Sequence, residues 1–324
     1  MAASESSPSS RLLTALRACL EGRVGIDGHL CVGLSGGRDS VVLLHLLSRL
    51  GLDRRLSAIH VHHGLSPHAD AWADFCRSFC ASLDVPLAVM KVRVEDDSPM
   101  GMEAAARQAR YRAFATCGAN WLLLAHHRND QAETVLFNLV RGAGIVGAAG
   151  MPRERWLGNL RLLRPLLDVP RADIEAYGIE SNLAWVEDES NQDTGFSRNF
   201  LRHDVLPVLE GRFPAATACL AAAAAHFAEA DTLLAELAES DWQACADGDR
   251  LCLAALRQLS VVRLKNLLRH RLRCLGWRMP AARRLDEFVR QLLAAGPGTR
   301  PQLLLPDGEM RVRRGYLHWI PPHP

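Results

Sequence analysis

The sequence predicts an α/β fold: a parallel sheet with helices on both faces, then a smaller, mainly helical domain ending in short strands. Three observations carry this. Short apolar runs alternate with longer amphipathic ones through the first half of the 324-residue chain, as in successive βα units. The alternation fades after Pro152. The end, "PQLLLPDGEMRVRRGYLHWI", reads as strands broken by Asp-Gly and Arg-Gly turns.

Taken in order, "MAASESSPSS" is polar and reads as a disordered tail, so residues 1–20 are expected to be a disordered or helical extension. Leu30–Leu34 is a short apolar run, as a buried strand would be, and Val41–Leu50 is long enough for a helix. Arg55–Leu65 reads as strand and loop, "HADAWADFCRSFCASLDV" as an amphipathic helix, and "PLAVMKVRV" as a strand. "GMEAAARQARYRAFATCG" is a helix, "NWLLLAHH" a strand, and "QAETVLFNLVRG" a helix. Beyond Pro152, Glu187–Leu209 starts polar and ends as an amphipathic helix, and Gly211–Pro214 looks like a boundary. The expected domains are therefore residues 21–211 and 212–324. An Ala-rich helix follows the boundary, then two more near Leu256–Leu275 and Ala281–Ala295.

Hydrophobic content of 48% permits a sizeable core. No apolar stretch reads as a membrane span, and nine cysteines occur without a CxxC pair. Cys76 and Cys80 read as a buried helix face rather than as metal ligands. A reduced, cytoplasmic setting and no membrane partner are expected. The net charge of +2 hides an asymmetry. Residues 229–249 hold seven acids and no Lys or Arg, whereas residues 254–320 hold fourteen Lys or Arg against four acids. A basic C-terminal half points to a polyanionic partner. Because 36 of the 38 basic residues are Arg, genome composition is the competing explanation for their type, though not for their clustering.

The stretch "LCVGLSGGRDSVVLLHLL" sets Ser35-Gly36-Gly37 between strand and helix. Glycines there allow close approach to the backbone, and the free N–H groups of a helix start bind anions. Gly-Gly is also found in plain turns, with Asp or Ser as a simple cap. Neither G-x-x-x-x-G-K-[ST] nor G-x-G-x-x-G is present. Ligands of parallel sheets sit at the carboxyl ends of the strands. Three loops rich in Gly, His, Asp or Asn meet there: Ser35–Ser40, His60–Leu65 and His126–Gln131. Their convergence favours a phosphate site over a plain turn.

SGGRDS resembles the SGGxDS loop of the PP-loop ATP pyrophosphatases, a Rossmann-like domain. Four further stretches are similar to the tRNA(Ile)-lysidine synthases: "HVHHGLSPHADAW", "EAAARQARY", "LLLAHHRNDQAETVLFNLVRGAG" and "DESNQDTGFSRNFLRHDVLP". The resemblance is dense over residues 28–210 and weak beyond. Some members of that family carry a second C-terminal domain, which this chain is expected to lack. The resemblance implies ATP-dependent adenylation of the wobble cytidine in a CAU-anticodon tRNA(Ile), with release of pyrophosphate. Attack by free L-lysine then expels AMP and leaves lysidine, which pairs with A.

On that resemblance, Ser35, Gly36, Gly37, Arg38, Asp39 and Ser40 would bind ATP. Asp39 and Asp130 would hold Mg²⁺, since hard cations take carboxylate oxygens. Arg107, with Arg110 on the same helix face, would meet charge on the α-phosphate, and His127 would polarise or position the base. Arg198, Asn199 and Arg202 would face the tRNA. The competing readings are a helix cap for Asp39, surface ion pairs for Arg107 and Arg110, a satisfied core histidine for His127, and helix solvation for the last three. Two departures stand out: Asn129 replaces the first Asp of the family's H-x-D-D-Q, and His62 replaces the Asn of H-V-N-H-G. Asp130 is expected to keep the metal role and Asn129 a hydrogen bond. Rival readings are a PP-loop tRNA thiolase, which usually needs paired cysteines, an amidating synthetase, and a non-catalytic nucleotide or RNA-binding module. A homodimer is left open.

Overall fold

The computed structural model describes residues 7–25, 28–52, 55–64, 66–93, 102–296 and 298–322, without the side chains of residues 103, 104, 190 and 191. Residues 1–6 of the polar tail and Leu65 of the second loop lie outside the described residues. The chain divides into two compact units, Met1–Phe227 and Ala228–Pro324.

The first unit opens with helix α1 (Pro8–Leu20), capped by the Ser7 hydroxyl, which accepts from the Ser10 N–H, with Pro at its start. Pro is suited to that place, where its missing N–H leaves no bond unmade. Pro8–Ser10 of the expected tail are thus its first turn, and Leu12, Leu16, Cys19 and Leu20 are buried in the core. Strand β1 (Leu30–Gly33) leads to α2 (Arg38–Arg49), β2 (Leu56–His62) to α3 (Ala69–Ser82), and β3 (Leu87–Lys91) to α4 (Met102–Phe114). Next come β4 (Trp121–Leu123), α5 (Arg128–Val140), the single turn α6 (Ile145–Ala148), the hairpin β5 (Glu154–Leu157) and β6 (Leu160–Leu163), and α7 (Arg171–Glu180).

The sheet order is β3-β2-β1-β4-β6-β5. All neighbours run parallel except the edge pair β5 and β6. Burial on both faces explains the uninterrupted apolar runs. Leu30, Val32, Leu123 and Leu163 pack with α1, α2, α3 and α7, while Cys31, Leu122, Leu162 and Ile59 pack with Phe114 of α4. Loops leaving β1, β2, β4 and β6 emerge at the sheet's carboxyl edge.

The unit continues through a helical run: α8 (Ser197–Phe200), a π-turn over Leu201–Val205, and α9 (Leu206–Arg212). The sequence supplies a cause. Pro207 lacks an N–H and its ring crowds the carbonyl four residues back, so the preceding turn widens.

Helix α10 (Ala216–Cys245) runs from the first unit into the second. By length and composition it could cross a membrane, where the sequence reading expects no such stretch. Its apolar character comes from alanines, interrupted by His226, Glu229 and Asp231. The second unit adds β7 (Ala246–Asp247), β8 (Arg250–Cys252), α11 (Leu253–Leu256), α12 (Val261–Cys274), α13 (Ala282–Ala294), β9 (Gln302–Leu305), β10 (Gly308–Arg313) and β11 (Tyr316–Ile320). Its strands form a sheet ordered β7-β8-β11-β10-β9. The sheet closes over Leu264, Leu268 and Leu272 of α12 and Leu285, Phe288 and Leu292 of α13.

Candidate functional site

The loop after β1 is held by its own side chains. The Ser40 hydroxyl donates to the Gly37 carbonyl (2.9 Å) and accepts from the Ser35 N–H (3.2 Å). The Ser35 hydroxyl accepts from the Gly37 N–H (3.2 Å). Gly36 has φ +89°, a conformation that favours glycine. A Cβ there would also meet Cys76 Sγ at 3.3 Å and Val186 at 3.4 Å. The Val186 N–H donates to the Gly36 carbonyl (2.9 Å), which fixes the turn against residues beyond α7. Gly37 caps α2 without a side-chain bond, so the first N–H groups of α2 remain available to a ligand.

β4 delivers a second helix start beside the first. His127 is the N-cap of α5 in a reciprocal capping box. Its Nδ1 accepts from the Asp130 N–H (3.3 Å), and Asp130 Oδ2 accepts from the His127 N–H (2.9 Å). The other ring nitrogen, Nε2, lies 3.5 Å from Asp39 Oδ2 on the first turn of α2. One buried imidazole, 2% exposed, therefore joins the two helix starts and the two candidate carboxylates.

The electrostatics follow from this packing. Burial works against ionisation of Asp39, but His127 and Arg38 outweigh it and bring the carboxyl down to about 2. Burial likewise disfavours the charged imidazole of His127, yet Asp39, Asp130 and Glu133 raise its affinity for a proton. Arg38 spans Asp39 (3.1 Å) and Glu175 on α7 (3.2 Å).

Arg202, on the π-turn, reaches into the same cluster. It donates to both oxygens of Glu133 (2.7 and 2.8 Å) and to Asp130 Oδ1 (3.2 Å). The guanidinium expected to face the tRNA thus makes its bonds to these two carboxylates, with the side chain 26% exposed. Glu133, 3% exposed, was not legible as a site residue, since one helical turn after Asp130 it reads as solvated surface. Arg198 donates to the Thr134 hydroxyl (3.2 Å), and the Asn199 amide to the Asp193 carbonyl (2.9 Å). Arg107 is exposed and donates to the Tyr111 hydroxyl (3.3 Å). Arg110 donates to His63 Nε2 (3.3 Å), whose affinity for protons burial and Arg110 push down to about 4.

The two departures are accommodated. Asn129 Oδ1 accepts from the Arg171 N–H at the start of α7 (3.1 Å), an acceptor role a carboxylate would fill equally. His62 Nε2 lies 3.1 Å from Asp70.

No group of three or more His, Cys, Asp or Glu suited to a metal occurs among the described residues. Asp39 and Asp130 offer the carboxylate oxygens a hard cation takes, and they are the residues that would hold Mg²⁺. All nine cysteines are free.

A family model described as PP-loop domain matches residues 14–209, and one described as TilS substrate binding domain matches residues 251–318. The chain is 48% identical to the tRNA(Ile)-lysidine synthase of Alkalilimnicola ehrlichii, covering 90% of this chain and 66% of that protein. It is 50% identical to that of Aromatoleum aromaticum (86% and 65%) and 46% identical to that of Pseudomonas aeruginosa (96% and 72%). The chain spans about two thirds of the length of these relatives. Among solved structures, the U34-tRNA thiolase NcsA from Methanococcus maripaludis with its [4Fe-4S] cluster shares the fold, with a TM-score of 0.58 at 18% identity over 68% of this chain and 80% of that one. Together with the SGGRDS loop and the helix start that faces it, these likenesses place the chain in the tRNA(Ile)-lysidine synthase family of PP-loop proteins.

Proposed function

We propose that this chain ligates free L-lysine to the wobble cytidine of the CAU-anticodon tRNA(Ile), activating the base with ATP and releasing pyrophosphate and then AMP. The observation that carries the reading is the His127 bridge between Asp39 and Asp130. It brings the phosphate-binding loop after β1 and the helix start after β4 into one site.

The chemistry needs positioned donors and charge rather than a protein nucleophile. The N–H groups of Gly36 and of Arg38 and Asp39 in the first turn of α2 bind phosphate oxygens, while the Gly37 N–H stays on the Ser35 hydroxyl and Ser35 and Ser40 shape the loop. Mg²⁺ would be held by Asp39 and Asp130 and would neutralise charge on the phosphates. Arg107, exposed at the rim, meets charge at the α-phosphate. His127 holds its proton at Nε2 toward Asp39 and keeps the two carboxylates in register. Arg202 holds Asp130 and Glu133 from within, while Arg198 and Asn199 lie on the RNA-facing segment. Residues 21–211 carry the chemistry and residues 212–324 bind the tRNA body, in a cytoplasmic protein.

Incubation with ATP, labelled lysine and a tRNA(Ile) transcript tests this, with mass analysis of the nucleosides. Lysidine is the expected product. A thiolated base, or ATP binding without any nucleoside change, would replace this reading with a rival.

A further inference from the structure

The carboxyl end of β6 carries a second polar cluster, of opposite charge to the Asp39–His127–Asp130 centre. Arg164 follows the strand directly and is 2% exposed. It donates from Nε to His126 Nδ1 (3.3 Å) and from Nη1 to the Pro152 carbonyl (2.5 Å). Arg155, on the edge strand β5, sits with its guanidinium carbon 4.9 Å from the centre of the Tyr111 ring. Arg107 lies 5.1 Å from that centre. All three cations act on one phenol: burial pushes the Tyr111 hydroxyl up, but Arg107, Arg164 and Arg155 together pull it below its ordinary value. His126, pushed down to about 3 chiefly by burial, serves Arg164 as a neutral acceptor.

Among the described residues, Arg107, Arg155 and Arg164 have no carboxylate partner, although their neighbours do. Arg153 pairs with Asp168, and Arg161 with Glu154. A buried cation without a counter-ion is costly. Like charges gathered round a neutral phenol add repulsion, which an incoming anion would relieve. Guanidinium forks match phosphate oxygens in pairs.

We propose that Arg155, held against Tyr111 and backed by the buried charge of Arg164, forms a second phosphate site that takes a phosphodiester of the RNA substrate near the target base. This rests on the proposed activity. Position selects the RNA over the nucleotide. β4 separates β6 from β1, so the cluster stands two strand spacings, about 10 Å, from the loop that holds the ATP phosphates. His126 and His127, at the end of β4, lie between the two. Arg155 is half-buried on the edge strand β5, where a long polyanion can reach it without crossing the sheet.

The test uses the full chain with R155Q and R155K. Filter binding of an unmodified tRNA(Ile) transcript is measured at several salt concentrations, and binding of α,β-methylene-ATP by equilibrium dialysis. R155Q should weaken RNA binding roughly threefold to tenfold and lower the salt slope by about one. R155K should retain the slope and most of the affinity, and nucleotide affinity should stay within about twofold in both, as expected for a phosphate contact outside the ATP loop. Wild-type RNA affinity and slope in R155Q, with the unaltered chain binding RNA, would overturn this site alone. A loss confined to nucleotide binding would overturn the RNA assignment. Failure of the unaltered chain to bind the transcript would overturn the proposed activity and this site with it.

Discussion

Replacing Arg202 with Met should destabilise the first unit in a pH-dependent way. Glu133 is 3% exposed and Asp130 is close to it, and Arg202 is their shared counter-ion. Breaking a buried pair from one side costs about 3–5 kcal/mol. Arg202 is 26% exposed, so water reaches the orphaned carboxylates, and about 2–3 kcal/mol is expected. Burial already holds the Glu133 pKa above its ordinary value, against the pull of Arg202. Over the interval between the unfolded and folded pKa values the native state binds more protons than the unfolded chain. Stability therefore falls as pH rises through the folded value. Without Arg202 the folded value climbs further and the interval widens upward. The cost of R202M should thus be larger at about pH 8 than at about pH 5, because protonation of Glu133 on acidification relieves the orphaned charge. Urea unfolding followed by tryptophan fluorescence measures both. R202M combined with E133Q should lose less than the sum of the single losses, by about 1–3 kcal/mol. An R202M cost below about 1 kcal/mol, or one equal at both pH values, would refute the buried-clamp account, as would strict additivity with E133Q.

D39N and D130N should each abolish pyrophosphate release, by several kcal/mol of lost charge stabilisation. Thermal unfolding should still show a folded chain, because the amide oxygen introduced by D130N can accept the same N–H and cap α5. N129D should retain activity and stability within about 1 kcal/mol, since Oδ1 of either residue accepts the Arg171 N–H. A collapse of activity would show that the neutral amide is required beside Asp130. Neutralising Arg269, Arg313 and Arg314, which have no acid partner among the described residues, should weaken tRNA binding and lower the salt slope by up to about three. Neutralising Arg271 and Arg273 should instead lower the melting temperature. Arg273 is paired with Asp231 (2.7 Å), and Arg271 stacks 4.1 Å from the Trp242 ring.

That last contrast shows where sequence reading stops. The fourteen basic residues of 254–320 form a visible cluster, but the acids that pair with two of them lie 22 and 42 positions away, outside it. Asp231 and Asp241 on α10 meet Arg273 and Arg263 on α12. The acidic run and the basic run are therefore partly each other's partners. β1 to β4 were legible as short apolar runs, most uniformly in the central β1 and β4, which are buried on both faces. The β5–β6 hairpin was not, because its edge strand carries Glu154 and Arg155. Gly158-Asn159 between the two short runs was the available signal. β7 and β8, two and three residues long, are too short to show a period.

The site divides along the same line. The tight turn in SGGRDS was legible because its glycines leave a local mark, and Gly36 does sit at φ +89°; His126–Gln131 was read only as a polar loop at the sheet's carboxyl edge, whereas α5 already begins at Arg128 with His127 as its N-cap. The links between them left none. Asp39 and His127 are 88 positions apart, Glu133 and Arg202 69 apart, and no periodicity relates them. The sheet order supplies the first link by placing β4 against β1, and the π-turn before Pro207 supplies the second by carrying Arg202 to α5. The helical run of α8, the π-turn and α9 is thereby joined to Asp130 and Glu133 through one guanidinium. Any displacement of that run on binding RNA must change the hydrogen bonding of Asp130. On the proposed function, base activation would then depend on how the RNA seats against that run.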